Sequence, residues 1–290
     1  MQHTQNIEQI EMETLVKDIC QAITDNQLNL PPLPETCLRV RALLQDENCS
    51  AKQLANTIAS DTALAARIMK VANSALYARH MAADDLQMAI QRLGNSLIGS
   101  LVNGLAIMPV FSFSQGQQQE IEHQIKQHSM STAALAYGLC QQHKSLNKFE
   151  GYLAAMLQNI GCVAVLSYHK LPTELLANKT TLTNFLNKHH ISIGGHLLRH
   201  WQFPETLIEI QQKHANLFRN HSSRIDYLDI VITANVINGL VLNSDSNAIP
   251  NYGHIPAMQR LNITETSLNH NMLEIQPSIQ EARFIFQAAP

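Results

Sequence analysis

Glycine and aromatic residues are scarce, with 11 glycines, a single tryptophan and 5% Phe, Trp and Tyr in 290 residues. Sheets draw on aromatic and β-branched side chains for their pleated faces, so this scarcity beside abundant Leu, Ala, Ile and Gln favours helix. The expected class is all-α, and neither half shows a strand-like alternation. A charge of one sign is lacking too: 20 basic and 23 acidic residues leave a net −3, which gives no global field to attract nucleic acid or an anionic membrane. The five cysteines, Cys20, Cys37, Cys49, Cys140 and Cys162, are odd in number and form no CxxC pair. Neither a disulfide framework nor a cysteine zinc site is expected, and reduced thiols suit a cytoplasmic location. The opening MQHTQNIEQIEMETLV lacks the basic start and apolar run of an export signal. The most apolar stretch, 152–166, is too short to cross a bilayer and carries two amides in its middle, so no membrane association is expected. No GxGxxG or Walker loop is present to suggest a nucleotide cofactor, and none is expected.

The chain is long enough for one large or two closely packed domains with ample core. Met12, Leu15, Val16, Ile19, Cys20 and Ile23 recur at helical spacing and predict an amphipathic first helix. The prolines of 30–34 forbid its continuation and predict a rigid corner leading into a helix near Glu35. Ser50 with Gln53 forms a capping box for a short helix ending near Ser60, and Asp61 caps the next one. Asp84 or Asp85 starts another helix that Gly94 closes, and Asn95 caps an apolar helix running to about Met108. The sequence PVFSFSQGQQQ, 109–119, breaks the periodicity and marks an internal junction. Helices are predicted near 118–143, 147–169, 180–188, 190–200, 204–219 and 225–242, the second of them central because it is apolar nearly all round. Residues 243–256 read as a loop, followed by one or two helical segments. The organisation predicted is therefore an N-terminal helical part over 1–108, a helical bundle over 118–243, and a loop with a helical tail over 244–290.

Fourteen histidines invite a search for metal ligands. His196 and His200 share a helix face, but no carboxylate completes a zinc motif and Arg199 adds repulsion, so solvated histidines are expected there. Ser129, Ser131 and Ser192 have neighbouring histidines but no strained elbow, and read as ordinary hydroxyls. Gln158 and Asn159 are more informative, since two amides amid Leu153 to Val165 must find hydrogen-bond partners inside the protein. Asn73 and Ser74 stand where an apolar helix ends. They read as local architecture, or together with Tyr77 as a partner-binding surface.

Residues 30–77, LPPLPETCLRVRALLQDENCSAKQLANTIASDTALAARIMKVANSALY, are similar to the opening of the HDOD family, including its Pro-rich entry and its Ala-Asn-Ser-Ala segment. DLQMAIQRLG at 85–94, QHSMSTAALA at 127–136, GYLAAMLQNIG at 151–161 and HISIGGHLLRHWQFPETLIEIQQKH at 190–214 continue the resemblance in family order. It covers roughly residues 25–240. The family is related to the HD phosphohydrolases, in which histidines and aspartates hold one or two metal ions that activate water against a phosphoester. The resemblance thus implies a compact HD-like helical bundle with an N-terminal helical subdomain, and a role in bacterial signal transduction.

Carried over position by position, the first ligand histidine falls on His128 and the His-Asp pair on Gln158-Asn159. The next histidine falls on His190, the His-His pair on Lys213-His214, and the late aspartate on Asn235. Two carboxylates have become amides, one imidazole has become Gln158, and Lys213 brings a cation where a divalent ion would sit. The expectation is a degenerate site without metal or catalysis, in a module that binds a signalling protein supplied in trans. The alternatives are a residual metal-dependent phosphohydrolase acting on a nucleotide or cyclic dinucleotide, and a nucleotide sensor in which Lys213 and the histidines form a weak anion pocket.

Overall fold

A computed structural model describes residues 2–75, 77, 81–111, 118–219, 224–242, 252–264 and 266–286, with side chains from 11 onward except at 240–242 and 252. Among them there is helix and no strand: α1 (Gln2–Thr24), α2 (Glu35–Leu44), α3 (Ala51–Ile58), α4 (Thr62–Ala72), α5 (Leu86–Leu93), α6 (Asn95–Ile107), α7 (Gln118–Gln141), α8 (Lys148–Leu157), α9 (Ile160–Leu166), α10 (Thr173–Ala177), α11 (Lys179–His200), α12 (Glu205–Lys213), α13 (Tyr227–Leu242), α14 (Pro256–Arg260) and α15 (Leu268–Phe286). Short 3-10 turns occupy Met108–Phe111 and Tyr252–His254.

Local chemistry sets most helix starts. Ser50 accepts from the Gln53 amide while Gln53 returns a bond to the Ser50 amide, closing the capping box. Asp61 and Asp85 cap α4 and α5 by accepting from the amides of Leu64 and Met88, and Asn147 caps α8 through the amides of Phe149 and Glu150. Asn95 departs from expectation: it is the first helical residue of α6, and the cap is Gly94, whose φ of 80° turns the chain between two helices. The two helices that it joins are bent by 108° from one another.

Helices α2 to α6 pack on one another, and α6 also lies against α8. The larger bundle is built on α8 and α9, flanked by α7, α11, α12 and α13. Every residue from Phe149 to Leu166 other than Glu150 and Asn159 is buried. The segment Lys148–Leu166 is the one described helix long and apolar enough to cross a membrane, and 89% of it lies inside the protein, where it serves as the core of the bundle. It is not one uninterrupted helix as the periodicity predicts, because Gln158 and Asn159 form a turn between α8 and α9. Conversely the two helices predicted over 180–188 and 190–200 are a single α11, since nothing between them caps or breaks a helix.

The terminal helices are integrated into this bundle. α1 packs on α11 and α9, buries Leu15, Ile19, Ala22 and Ile23, and is clipped by His196 to Thr24 at 3.0 Å and His200 to Asn26 at 2.9 Å. The solvated role expected of those two histidines is therefore replaced by tethering. α15 packs along α7, and its last residue, Phe286, stacks on Tyr152 with ring centroids 3.8 Å apart.

Candidate functional site

α7, the α8–α9 turn, α11, α12 and α13 converge on a group of polar side chains inside an apolar bundle. The close approach of α9 to α11 depends on glycine. A Cβ built on Gly161 would stand 1.8 Å from the His190 carbonyl oxygen, and one on Gly194 would stand 2.2 Å from Gln211 Nε2. These two glycines let His190 and Gln211 sit against the turn that carries Gln158.

The hydrogen bonds assign the imidazole tautomers. Asn238 Nδ2 lies 3.2 Å from His128 Nδ1, and as a donor it requires a lone pair there. His128 Nε2 then carries the proton and donates to Asn235 Oδ1 at 3.1 Å. Asn235 Nδ2 donates in turn to Gln158 Oε1. The result is a directed chain, Asn238 to His128 to Asn235 to Gln158, in which both ring nitrogens of His128 are engaged. Asn238 Nδ2 also lies 2.8 Å from Thr132 Oγ1 and 3.1 Å from the His128 carbonyl, so its two hydrogens are shared among three acceptors. Gln158 is fully buried and its Nε2 has no partner.

A second unit lies on α11 and α12. His190 Nδ1 donates to the Leu186 carbonyl at 2.9 Å and His214 Nδ1 to the Gln211 carbonyl at 2.6 Å. Both neutral rings must therefore present bare Nε2 atoms, and these face each other at 3.5 Å. A hydrogen bond between them forms only when one ring gains a proton or surrenders its carbonyl. Burial opposes that proton. It pulls His214 down to about 4, with the neighbouring histidines lowering it further against the Gln211 bond, and it lowers His190 as well. His128 is also lowered by burial, partly offset by Asn235.

Of the carried-over positions, His128, Gln158 and Asn235 are joined directly, as are His190 and His214. Asn159 is half-buried and turned toward α7, with Nδ2 3.4 Å from Ser129 Oγ. Lys213 does not point inward: it is exposed on α12 and pairs with Glu209 one turn earlier. This corrects the expectation of a cation in the metal position, and it removes the main phosphate-binding group from the imagined anion pocket. Lys213 and His214, neighbours at the end of α12, face apart here, the first to solvent and the second into the bundle.

Sequence reading passed over Asn238, Thr132 and Gln211. Asn238 stands three residues beyond Asn235 in the mostly apolar α13, and Thr132 four beyond His128. That spacing was the available signal.

The residues do not fit a divalent metal centre. No group of three or more His, Cys, Asp or Glu side chains converges as a ligand set among the described residues. His128 has no free nitrogen, and two imidazole lone pairs are fewer than the three or four protein ligands such ions take.

Asn73, Ser74 and Tyr77, the expected partner surface, also serve local architecture, while Asn73 remains exposed. Asn73 bonds Ala83 through both its donor and its acceptor, at 3.0 and 2.6 Å, and Ser74 caps the Val71 carbonyl at 2.7 Å. Tyr77 is half-buried, its ring 6.4 Å from Phe149. Residues 76 and 78–80 lie outside the described residues.

Comparison with known proteins agrees with this architecture. The chain is 23% identical over 219 residues to an uncharacterized protein of Treponema pallidum (strain Nichols), covering 72% of this chain and spanning 42% of that relative's length. A crystal structure from Shewanella amazonensis SB2B, of a protein described as a candidate metal-dependent phosphohydrolase, aligns at 25% identity with TM-score 0.72, covering 95% of this chain and 99% of the other. An HDOD domain protein of unknown function from Geobacter sulfurreducens has the same fold, with TM-score 0.63 at 19% identity over 93% of this chain and 98% of its own. The profile of the HDOD domain matches residues 30–217, and the chain belongs to the HDOD family.

Proposed function

We propose that this chain is a non-catalytic HDOD module that binds a signalling protein in trans in the cytosol and hydrolyses no phosphoester. The observation that carries the reading is the hydrogen-bond chain through His128, Asn235 and Gln158. Groups that a hydrolase would turn toward metal and water are here turned toward one another, and no carboxylate stands among them to hold a hard cation. These bonds tie α7, the α8–α9 turn and α13 to one another, which suits a scaffold for a partner.

The rival from the enzyme class is a residual phosphohydrolase, kept in view by the description of the Shewanella relative. Purified chain supplied with Mn, Fe, Mg or Zn and a panel of phosphomonoesters, nucleotides and cyclic dinucleotides separates the two. The reading predicts no turnover, and a single partner retained by the tagged chain from its native cell that rebinds when both are pure. Metal-dependent turnover lost in His190→Ala overturns it. The nucleotide-sensor alternative is weaker with Lys213 outside the cluster. A nucleotide-induced rise in Tm abolished by His214→Asn would revive it.

A further inference from the structure

Away from the polar cluster, a cavity of about 410 Å³ opens between α2, α4, α6, the Met108–Phe111 turn and the end of α15. That volume lies within the range of small-ligand pockets, about 300–1,000 Å³. Its walls are apolar, formed by Leu64 of α4, Val102 and Leu105 of α6, Met108, and Phe286 of α15. Two charged residues also line it, both on α4, and they are not equivalent. Asp61 is occupied as the N-cap of that helix, its Oδ1 accepting from the Leu64 amide at 3.0 Å, where the positive end of the helix dipole balances it. Arg67 stands nearly two turns further on. Its Nε donates to the Ile285 carbonyl at 3.1 Å, which fixes the plane of the guanidinium and leaves the other nitrogens for a further acceptor. Lys70, one turn beyond, sits over the Phe284 ring at 5.3 Å and is not part of the lining.

We propose that this cavity binds a small monoanionic amphiphile, a medium-chain carboxylate, with its tail against Leu64, Val102, Leu105 and Phe286 and its carboxylate on Arg67. An apolar cavity takes up an apolar tail by removing it from water, and a guanidinium at one end orients the molecule by a charge-assisted bond. The walls come from both the N-terminal helices and the end of α15, so the ligand holds that helix end against α4 and α6. The occupant is a small molecule and not a partner helix, because the volume is that of a small-ligand pocket and the cation in its lining, Arg67, is held in place by the Ile285 carbonyl.

Calorimetric titration of the full chain with decanoate below its micelle concentration, beside decanol, tests this. One saturable site is expected, with decanoate bound at least about tenfold more tightly than decanol and a rise in Tm on binding. Arg67→Gln should erase the preference for the carboxylate while leaving decanol binding unchanged. Ala63→Trp, at an exposed position on the lining, should block both ligands, with its helical circular dichroism and Tm near those of the parent. Equal affinity for decanol and decanoate overturns the role given to Arg67. Absence of a saturable site, or uptake unchanged in folded Ala63→Trp, overturns the site itself.

Discussion

His214 donates its Nδ1 proton to the Gln211 carbonyl inside a region closed to water, and burial holds its pKa at about 4. An unfolded histidine titrates near 6.5. Between these values the unfolded chain binds a proton that the folded chain refuses. Stability is therefore full above about pH 6.5 and is lost as pH falls toward 4, by roughly 3 kcal/mol for this group. His190 and His128, also lowered, act in the same direction. Urea midpoints between pH 7.5 and 4.5 should fall steeply in the parent and less steeply in His214→Asn, which keeps a donor toward Gln211; a parent midpoint that does not move with pH would contradict the lowered titration of these buried rings. Gly161 offers a second test. Its missing Cβ is the space taken by the His190 backbone carbonyl, and backbone cannot yield as a flexible side chain does. Gly161→Ala is expected to destabilise by about 1–3 kcal/mol or more, read as a lowered urea midpoint, and Gly94→Asn, where a Cβ meets nothing but φ is 80° and ψ 158°, should cost about 1–3 kcal/mol through backbone strain alone.

At the scale of the helix, what was legible in the sequence was local. The Ser50 and Gln53 box and the caps at Asp61 and Asp85 depend on residues three apart, and each appears where the spacing places it. The turn at Gln158 and Asn159 was not legible, because apolar residues all round a helix carry no periodic signal of where it breaks. Only the hydrogen bonds from α13 and toward α7 make use of the two amides there. The orientation of Lys213 was misread for a related reason: a motif aligned as a pair hides the rotation between neighbouring helical residues. Between α12 and α14 a buried charge does the joining. Asp229 is fully buried on α13 and receives Arg260 Nη2 at 2.5 Å, Arg260 Nε at 3.1 Å and Arg219 Nη1 at 3.3 Å. Removing one partner of a buried pair leaves the others uncompensated, so Asp229→Ala should cost about 3–5 kcal/mol in chemical denaturation. A loss below 1 kcal/mol would show that the arginines are free to rehydrate.

Across the whole molecule, two terminal helices close a bundle whose middle was foreseen. The central place of 152–166 followed from its composition, because a helix apolar on every side has to be surrounded. The docking of α1 on α11 and of α15 on α7 did not, since an amphipathic face states that it will be buried and not against what. Tyr137 donates to Glu281, and Lys148 meets the same carboxylate at 3.0 Å, fastening α15 to both α7 and α8. The candidate site was legible as a set of positions through family resemblance. Its internal wiring was not, because amide and imidazole partners are chosen by tertiary distance.

That wiring is the core of the functional account, and metal titration reads it most directly. Calorimetry with Zn, Mn and Fe on the parent should show no tight stoichiometric site at the cluster. Gln158→His with Asn159→Asp and Asn235→Asp, once shown to be folded, should bind at least about tenfold more tightly, because the changes supply an imidazole and two carboxylates. Lys213→His added to that variant should change little, as the side chain faces solvent. Stoichiometric, tightly held metal in the parent, lost on His190→Ala or His214→Ala, would contradict the account.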